Sequence, residues 1–370
     1  MRPYYSCSDI KIFNGDCLDV LRGMDAESID MCITSPPYWG LRDYGTAKWE
    51  GGDINCNHIA AKEKSRYDYD LSKAQTGTHS GAKTGTDQAK WKKKCPSCGA
   101  IKKDSQLGLE PTFHEYIDKL VAIFDEVKRV LKDTGTCWVN LGDTYSGSGD
   151  KGDYKDPKYK EDRNGQRQSL SKLVMPKSLI GIPERFAIAM TDTGWIRRNT
   201  IIWHKPNCMP SSVKDRFTVD FEYLYFFSKS KKYYFEQQFD EYTAPMNRWG
   251  GDNLKADNNS TWDKGTGQVS YRDRNMRPNE QGRNKRCVWE INTKPYKKAH
   301  FAVYPESLIE TPIKAGCPKD STVLDPFMGS GTTLKVASEL GRKGIGIELN
   351  TEYIKMALKR INVSQKLLKI

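Results

Sequence analysis

Apolar positions along this chain fall into strand-length runs, one long helical stripe, and gaps where no period survives. The runs Ile29 to Ile33, Thr136 to Leu141, Trp195 to Trp203, Phe221 to Phe227 and Lys343 to Leu349 are bounded by turn residues and predict strands. A shorter strand is expected over Lys11 to Phe13, followed by Asn14-Gly15-Asp16, where Gly15 suits a tight turn and Asp16 can cap a helix over Leu18 to Leu21. From Phe113 the pattern changes. Tyr116, Ile117, Leu120, Ile123, Phe124, Val127, Val130 and Leu131 follow at steps of three and four, which makes one apolar helix face, and Asp133-Thr134-Gly135 should end it. Further helices are expected over Pro183 to Met190, from Glu306 to about Ala315, from Thr333 to Leu340 and over Thr351 to Ile361.

Two stretches lack any such period. Residues 55–106 are rich in Lys, Ser, Thr and Gly, and residues 236–287 are polar with interleaved Trp249, Trp262 and Tyr271. Both read as insertions, leaving 1–54, 107–235 and 288–370 as the main domain. A third polar stretch, Ser146 to Gln168, reads as a mobile loop. Basic and amide side chains interleaved with aromatics suit base and phosphate contacts, so 236–287 is the expected target recognition region; a solvated surface insertion has the same composition.

Charge sharpens the picture. The 370 residues carry a formal net charge of +12, which favours a polyanionic partner such as nucleic acid. No long apolar run can span a membrane, and the first residues lack the apolar stretch of a signal peptide. A reducing cytoplasm is therefore the expected compartment, and the ten cysteines are expected as thiols and metal ligands rather than disulfides. Cys56-x-His58 and Cys95-Pro-Ser-Cys98-Gly99 sit at opposite ends of the first insertion. Together they make a four-ligand set for a tetrahedral, structural zinc, with His79 as a substitute ligand.

The strand from Ile29 stops at Ser35-Pro36-Pro37-Tyr38-Trp39. Proline fixes φ and has no N–H, so the Ser35 and Pro36 carbonyls are left to accept from another group. A hydroxyl at the rim and the flat faces of Tyr38 and Trp39 complete a stiff cup for a planar group bearing an amine. A proline-rich turn with no ligand fits these six residues as well. Near the other end of the chain, Thr322-Val-Leu-Asp325-Pro326-Phe327-Met328-Gly329-Ser330-Gly331-Thr332-Thr333 is a strand, a glycine loop and a helix start. The next strand ends in Glu348. That order is the plan of half a Rossmann site, with Glu348 placed for ribose hydroxyls. Asp325 at the head of the loop would repel a pyrophosphate and welcome an ammonium. S-adenosylmethionine, which has a ribose and an α-amino group but no phosphate, fits this chemistry better than NAD or ATP.

The two motifs together resemble those of the exocyclic-amino DNA methyltransferases, in the permuted (beta-type) group where the catalytic motif precedes the cofactor motif. The resemblance covers the chain outside its insertions. It implies an α/β fold: a Rossmann-like S-adenosylmethionine-dependent methyltransferase sheet of seven strands, mixed, with helices on both faces. The strands at Val323 and Ile345 would lie beside the one at Ile12. It implies catalytic roles for Ser35, Pro36, Pro37 and Tyr38. It implies cofactor roles for the loop Asp325 to Thr333 and for Glu348, for Asp16 at the adenine amino group, and for His300 and Phe301 in the segment through Pro305 that closes over the methionine end. Some relatives of this type also carry a cysteine insertion after the catalytic motif. The reaction implied is methylation of duplex DNA at a flipped-out base, in restriction-modification or phage DNA protection, with a cognate restriction endonuclease as a possible partner. Ser at the first motif position is typical of cytosine-N4 enzymes, and Asp or Asn of adenine-N6 enzymes, so cytosine N4 is expected and adenine N6 is the alternative. The chain has no Pro-Cys pair, which argues against carbon-5 methylation. Two rivals are an RNA or protein amino-methyltransferase and a zinc-containing DNA-binding protein without catalysis.

Overall fold

The computed structural model describes residues 2–40, 48–53, 55–57, 95, 97–103, 106–146, 174–241, 281–294 and 303–367. They form two compact units, Met1–Arg42 with Leu107–Ile370, and Asp43–Gln106.

The larger unit is built on a nine-stranded sheet. Its strands are β1 (Tyr5–Ser6), β2 (Ile10–Asn14), β3 (Ile29–Thr34), β6 (Leu131–Leu141), β7 (Ile196–His204), β8 (Phe221–Ser228), β11 (Val288–Glu290), β12 (Thr322–Asp325) and β13 (Lys343–Glu348). They run in the order β1-β2-β13-β12-β3-β6-β8-β7-β11. From β2 to β6 every pairing is parallel, and β8 is antiparallel to both β6 and β7. The seven expected strands are all present, and the short β1 and β11 extend the two edges. The strand at Ile345 lies beside β2, as expected, but the one at Val323 sits one place further in, between β13 and β3.

Among the described residues, six helices cover the sheet: α1 (Cys17–Arg22), α2 (Phe113–Val130), α3 (Ile182–Asp192), α4 (Glu306–Gly316), α5 (Thr332–Glu339) and α6 (Thr351–Leu367). Strand alternation decides which face each residue feeds. In β3, Cys32 joins the core under α1, α2 and α3, whereas Met31 and Ile33 join the core under α4 and α5. The α2 stripe is buried at all eight of its expected positions from Phe113 to Val130, each apolar side chain stabilising by about 1.5–3 kcal/mol. Thr112 caps this helix by accepting from the Glu115 N–H. Its C-terminal end differs from expectation. Leu131 is already in β6, so the chain passes from helix to strand without a loop and Asp133-Thr134-Gly135 lies within the strand. Lys132 in that segment, its side chain partly exposed, is held by Asp30 at 2.7 Å.

The topology also sets where a ligand can sit. After β3 the chain crosses by α2 to β6 on one side, and after β12 it crosses by α5 to β13 on the other. The order therefore reverses between β3 and β12, and sheets of this kind open a crevice at that switch point, beyond the carboxyl ends of the strands. The Ser35 motif follows β3 and the Asp325 loop ends β12.

The smaller unit pairs β4 (Lys48–Glu50) with β5 (Ile101–Lys103) in antiparallel register. A separate two-stranded ribbon of the larger unit pairs β9 (Phe239–Asp240) with β10 (Arg283–Asn284), at the two ends of the expected recognition region. Residues 242–280 of that region lie outside the described residues, as do 147–168 of the expected mobile loop. No helix among the described residues is long and apolar enough to cross a membrane.

Candidate functional site

The two motifs, 291 positions apart in sequence, meet through a buried hydrogen bond. Thr34 Oγ1, on the last residue of β3, donates to Asp325 Oδ1 at 2.6 Å. Phe327 N donates to the same oxygen at 3.0 Å, while Tyr304 Oη (3.2 Å) and Thr333 Oγ1 donate to Oδ2. Burial pushes the Asp325 carboxyl up, and these four donors oppose it. The carboxylate expected to greet an ammonium is thus fully engaged with the protein itself. It fixes the loop, the strand leading to Ser35 and the Tyr304 segment as one piece.

The loop after Asp325 is held from two further sides. Glu348, at the tip of β13, accepts from Gly329 N at 2.9 Å and from Asn350 N at 2.8 Å. Burial pushes its carboxyl up to about 7, against the pull of those backbone donors. Arg360 of α6 donates to Ser330 Oγ and Thr332 Oγ1 and pairs with Glu306 at 2.8 Å. Gly331 caps α5 at φ +80°, and a Cβ there would come within 2.7 Å of Ala357 Cβ, so α6 leaves no room for a side chain. Asp16 is close at hand. Asn14 pairs with Glu348 across β2 and β13, and Asp16 caps α1 by accepting from Leu18 N at 2.9 Å. His300 and Phe301 lie outside the described residues, but Tyr304, in the same expected segment, reaches Asp325 and Thr333.

At the catalytic motif, Ser35 and Tyr38 are half-buried and Pro36 is buried. Tyr116 Oη donates to the Pro37 carbonyl at 2.8 Å, pinning the turn to α2. Trp39 is not a face of the cup. It is buried, its Nε1 donates to the Glu110 carbonyl, and it packs edge-on against Phe113. Tyr38 Oη donates to Glu222 Oε2 at 2.7 Å and lies 3.1 Å from Asn140 Oδ1; Glu222 is in turn paired with Lys205. Burial and the neighbouring Glu222 carboxylate hold the Tyr38 phenol well above its ordinary value.

Sequence reasoning gave no role to Thr34, Asn140, Lys205 or Glu222, and it held Tyr304 and Thr333 only as members of the segments it singled out. Tyr304 sat inside a segment already singled out, and Asn140 and Glu222 are polar residues at the ends of otherwise apolar strands, which is a usable signal.

In the smaller unit, the sulfurs of Cys56, Cys95 and Cys98 lie within 4.8 Å of one another. The Cys56 and Cys95 sulfurs are 3.8 Å apart. Two thiolates on one tetrahedral zinc, each bonded at about 2.3 Å, are separated by about 3.8 Å. Gly99 takes a left-handed φ of +77° and its N–H bonds the Cys95 carbonyl at 2.9 Å, closing the turn that brings the Cys-x-x-Cys pair together. His58 and the alternative His79 lie outside the described residues.

A family model described as DNA methylase, for N6 and N4 enzymes, matches residues 29–359. The Type II methyltransferase M.SmaI of Serratia marcescens is 35% identical over 351 residues, covering 95% of this chain and 90% of that protein. M.Cfr9I of Citrobacter freundii is also 35% identical, over 95% of this chain and 87% of its own length. Among solved structures, the PvuII DNA methyltransferase (cytosine-N4-specific) superposes with a TM-score of 0.54 at 19% identity, covering 97% of this chain and 88% of that one, a likeness of fold.

Proposed function

We propose, for a chain that belongs to the N6/N4 family of DNA methyltransferases, that the methyl acceptor is the exocyclic N4 of cytosine in duplex DNA and the donor is S-adenosylmethionine. The observation that carries this reading is the Thr34–Asp325 bond, which sets Ser35 beside the cofactor loop at the switch point of the sheet. The loop's chemistry fits the donor: its acids are Asp325 and Glu348, and the guanidinium that reaches it, Arg360, is paired with Glu306 rather than offered to a phosphate.

When bound, S-adenosylmethionine supplies a methyl group already activated by its sulfonium. Glu348 would hold ribose hydroxyls, Gly329 and Gly331 would let the backbone approach, and Asp16 would meet the adenine amino group. Asp325 acts through the loop it braces. A cytosine amine is a poor nucleophile because its lone pair is delocalised into the ring. The Ser35 hydroxyl and the Pro36 carbonyl accept its two N–H groups and draw the nitrogen toward tetrahedral geometry, so most of the acceleration is positional. Tyr38 stacks on the flipped base. The choice of cytosine rests on the serine at the head of the motif.

The same reading gives the cysteine cluster a structural zinc, with His58 completing the set. It makes 236–287 the recognition region for DNA and a restriction endonuclease the partner activity. The test is direct. Unmodified DNA is incubated with the protein and methyl-labelled S-adenosylmethionine, then digested to nucleosides and separated. Label in N4-methylcytosine supports the reading, label in N6-methyladenine replaces cytosine by adenine, and unlabelled DNA overturns it.

A further inference from the structure

Stacking on a base uses the ring of Tyr38 and leaves its hydroxyl unexplained. That hydroxyl is built into a directed chain. Ser35 Oγ donates to Tyr38 Oη at 3.5 Å, and Tyr38 Oη donates to Glu222 Oε2 at 2.7 Å. The first bond is long, as catalytic bonds often are before substrate closes them. Glu222 is kept in place by two contacts, one of them braced in turn. Lys205 takes Oε1, Asn140 Nδ2 donates to Oε2 at 3.2 Å, and Asn140 is itself anchored on the Tyr223 carbonyl at 3.0 Å. The ring cannot retreat, because the space behind it is closed by Gly142, where a Cβ would stand 2.8 Å from Tyr38 Cε2. The Glu222 side chain keeps 19% of its surface in solvent, so a proton reaching it can leave.

We propose that Ser35, Tyr38 and Glu222 form the exit path for the proton that the target amine must lose, with Glu222 as a positioning residue two hydroxyls away from the base. The inference rests on the amine-methylation reading above. As the new C–N bond forms, the S–CH3 bond breaks and its electron pair stays on sulfur, so the positive charge passes to nitrogen. One N–H proton moves to Ser35 Oγ, the Ser35 proton to Tyr38 Oη, and the Tyr38 proton to the Glu222 carboxylate, which releases it to water. The sum is one methyl transferred and one proton released, with no further reactant.

The wild-type protein is first assayed on unmodified bacterial DNA with methyl-labelled S-adenosylmethionine. Absence of any transfer overturns the amine-methylation reading itself. With transfer in hand, Glu222→Gln and Tyr38→Phe are compared with wild type in single turnover, in light and heavy water. Glutamine can still accept from the Tyr38 hydroxyl but cannot take its proton. Each variant is expected to be slowed by about 100-fold or more. The solvent isotope effect of wild type should be lost, with affinities for the donor and for DNA within about twofold of wild type, and the double variant should be no slower than the slower single one. A Glu222→Gln protein with wild-type rate and isotope effect overturns the path, and so does a loss confined to DNA or donor affinity, which is what a mere brace produces. If Glu222→Gln does not fold, Tyr38→Phe decides by the same readouts.

Discussion

Glu348 makes the strongest quantitative demand on the site. Burial pushes its carboxyl up to about 7, although Asn350 N and Gly329 N both donate to it. Ribose hydroxyls donate to an ionised carboxylate, and the protonated acid is the poorer acceptor. With a midpoint near 7, about a tenth of the molecules are ionised at pH 6 and about nine-tenths at pH 8. The apparent Kd is the intrinsic value divided by that fraction, so affinity for S-adenosylmethionine should tighten about eight- to tenfold between pH 6 and pH 8. Calorimetric titration at pH 6, 7 and 8 measures this directly. Glu348→Gln should bind more weakly at pH 8 and change by less than about twofold across the range. The same group acts in the opposite sense on the ligand-free fold. Its folded value lies above the unfolded 4.5, so its contribution is fully present below 4.5 and is lost as pH rises through 7. The difference in melting temperature between wild type and Glu348→Gln should therefore fall over that window. A wild-type Kd flat from pH 6 to 8, or an equal slope in the glutamine variant, refutes the assignment of Glu348 to the ribose.

Three other outcomes are expected. Ser35→Ala should retain donor binding by calorimetry and lose DNA methylation, and full activity in that variant removes Ser35 from the chemistry. Thr34→Val deletes a 2.6 Å buried bond to the Asp325 carboxylate, and should cost about 1.5–3 kcal/mol in urea unfolding; an unchanged midpoint means the bond between the motifs contributes nothing. The purified protein should carry one zinc per chain by atomic emission, and Cys98→Ser should lower that content while the main domain still binds S-adenosylmethionine; metal-free wild type speaks against the zinc site.

The strands and helices of the main unit were legible because their signals are local. Apolar runs with turn residues at both ends mark β3, β8 and β13, and the three-four stripe from Phe113 marks α2. The boundary at Leu131 was not legible, since Asp133-Thr134-Gly135 has the composition of a turn. Residues 132–135 are skipped by the register, which passes from Ile29–Leu131 to Met31–Thr136, so this turn composition is taken up as an irregularity inside β6, with Lys132 tied to Asp30. Trp39 misled for a related reason. An aromatic next to a motif reads as part of it, yet the Glu110 carbonyl and Phe113 behind the strand draw the indole inward. Glu222 stands out in the sequence only as a polar residue in an apolar strand; its role, like that of Lys205, comes from register. It is the pairing of β8 with β6, Asn140 opposite Leu224, that carries a carboxylate to the Tyr38 hydroxyl.

The order of the motifs in the chain turns out to matter little for the site. Adjacent parallel strands end on the same side of a sheet whatever their separation in sequence, and β3 and β12 are such neighbours, with Val323 opposite Met31 and Leu324 opposite Cys32. The residues one step further along, Ile33 and Asp325, then stand at the rim, and Thr34 closes onto the carboxylate. A long connection between the two strands costs only slowly growing closure entropy, because that term rises with the logarithm of loop length. Insertions such as 43–106 can therefore be accepted between the two motifs without moving them apart. What the site cannot accept is a change at the meeting point, where one buried carboxylate takes hydrogen bonds from Thr34, Tyr304, Phe327 and Thr333, residues drawn from three separate segments of the chain.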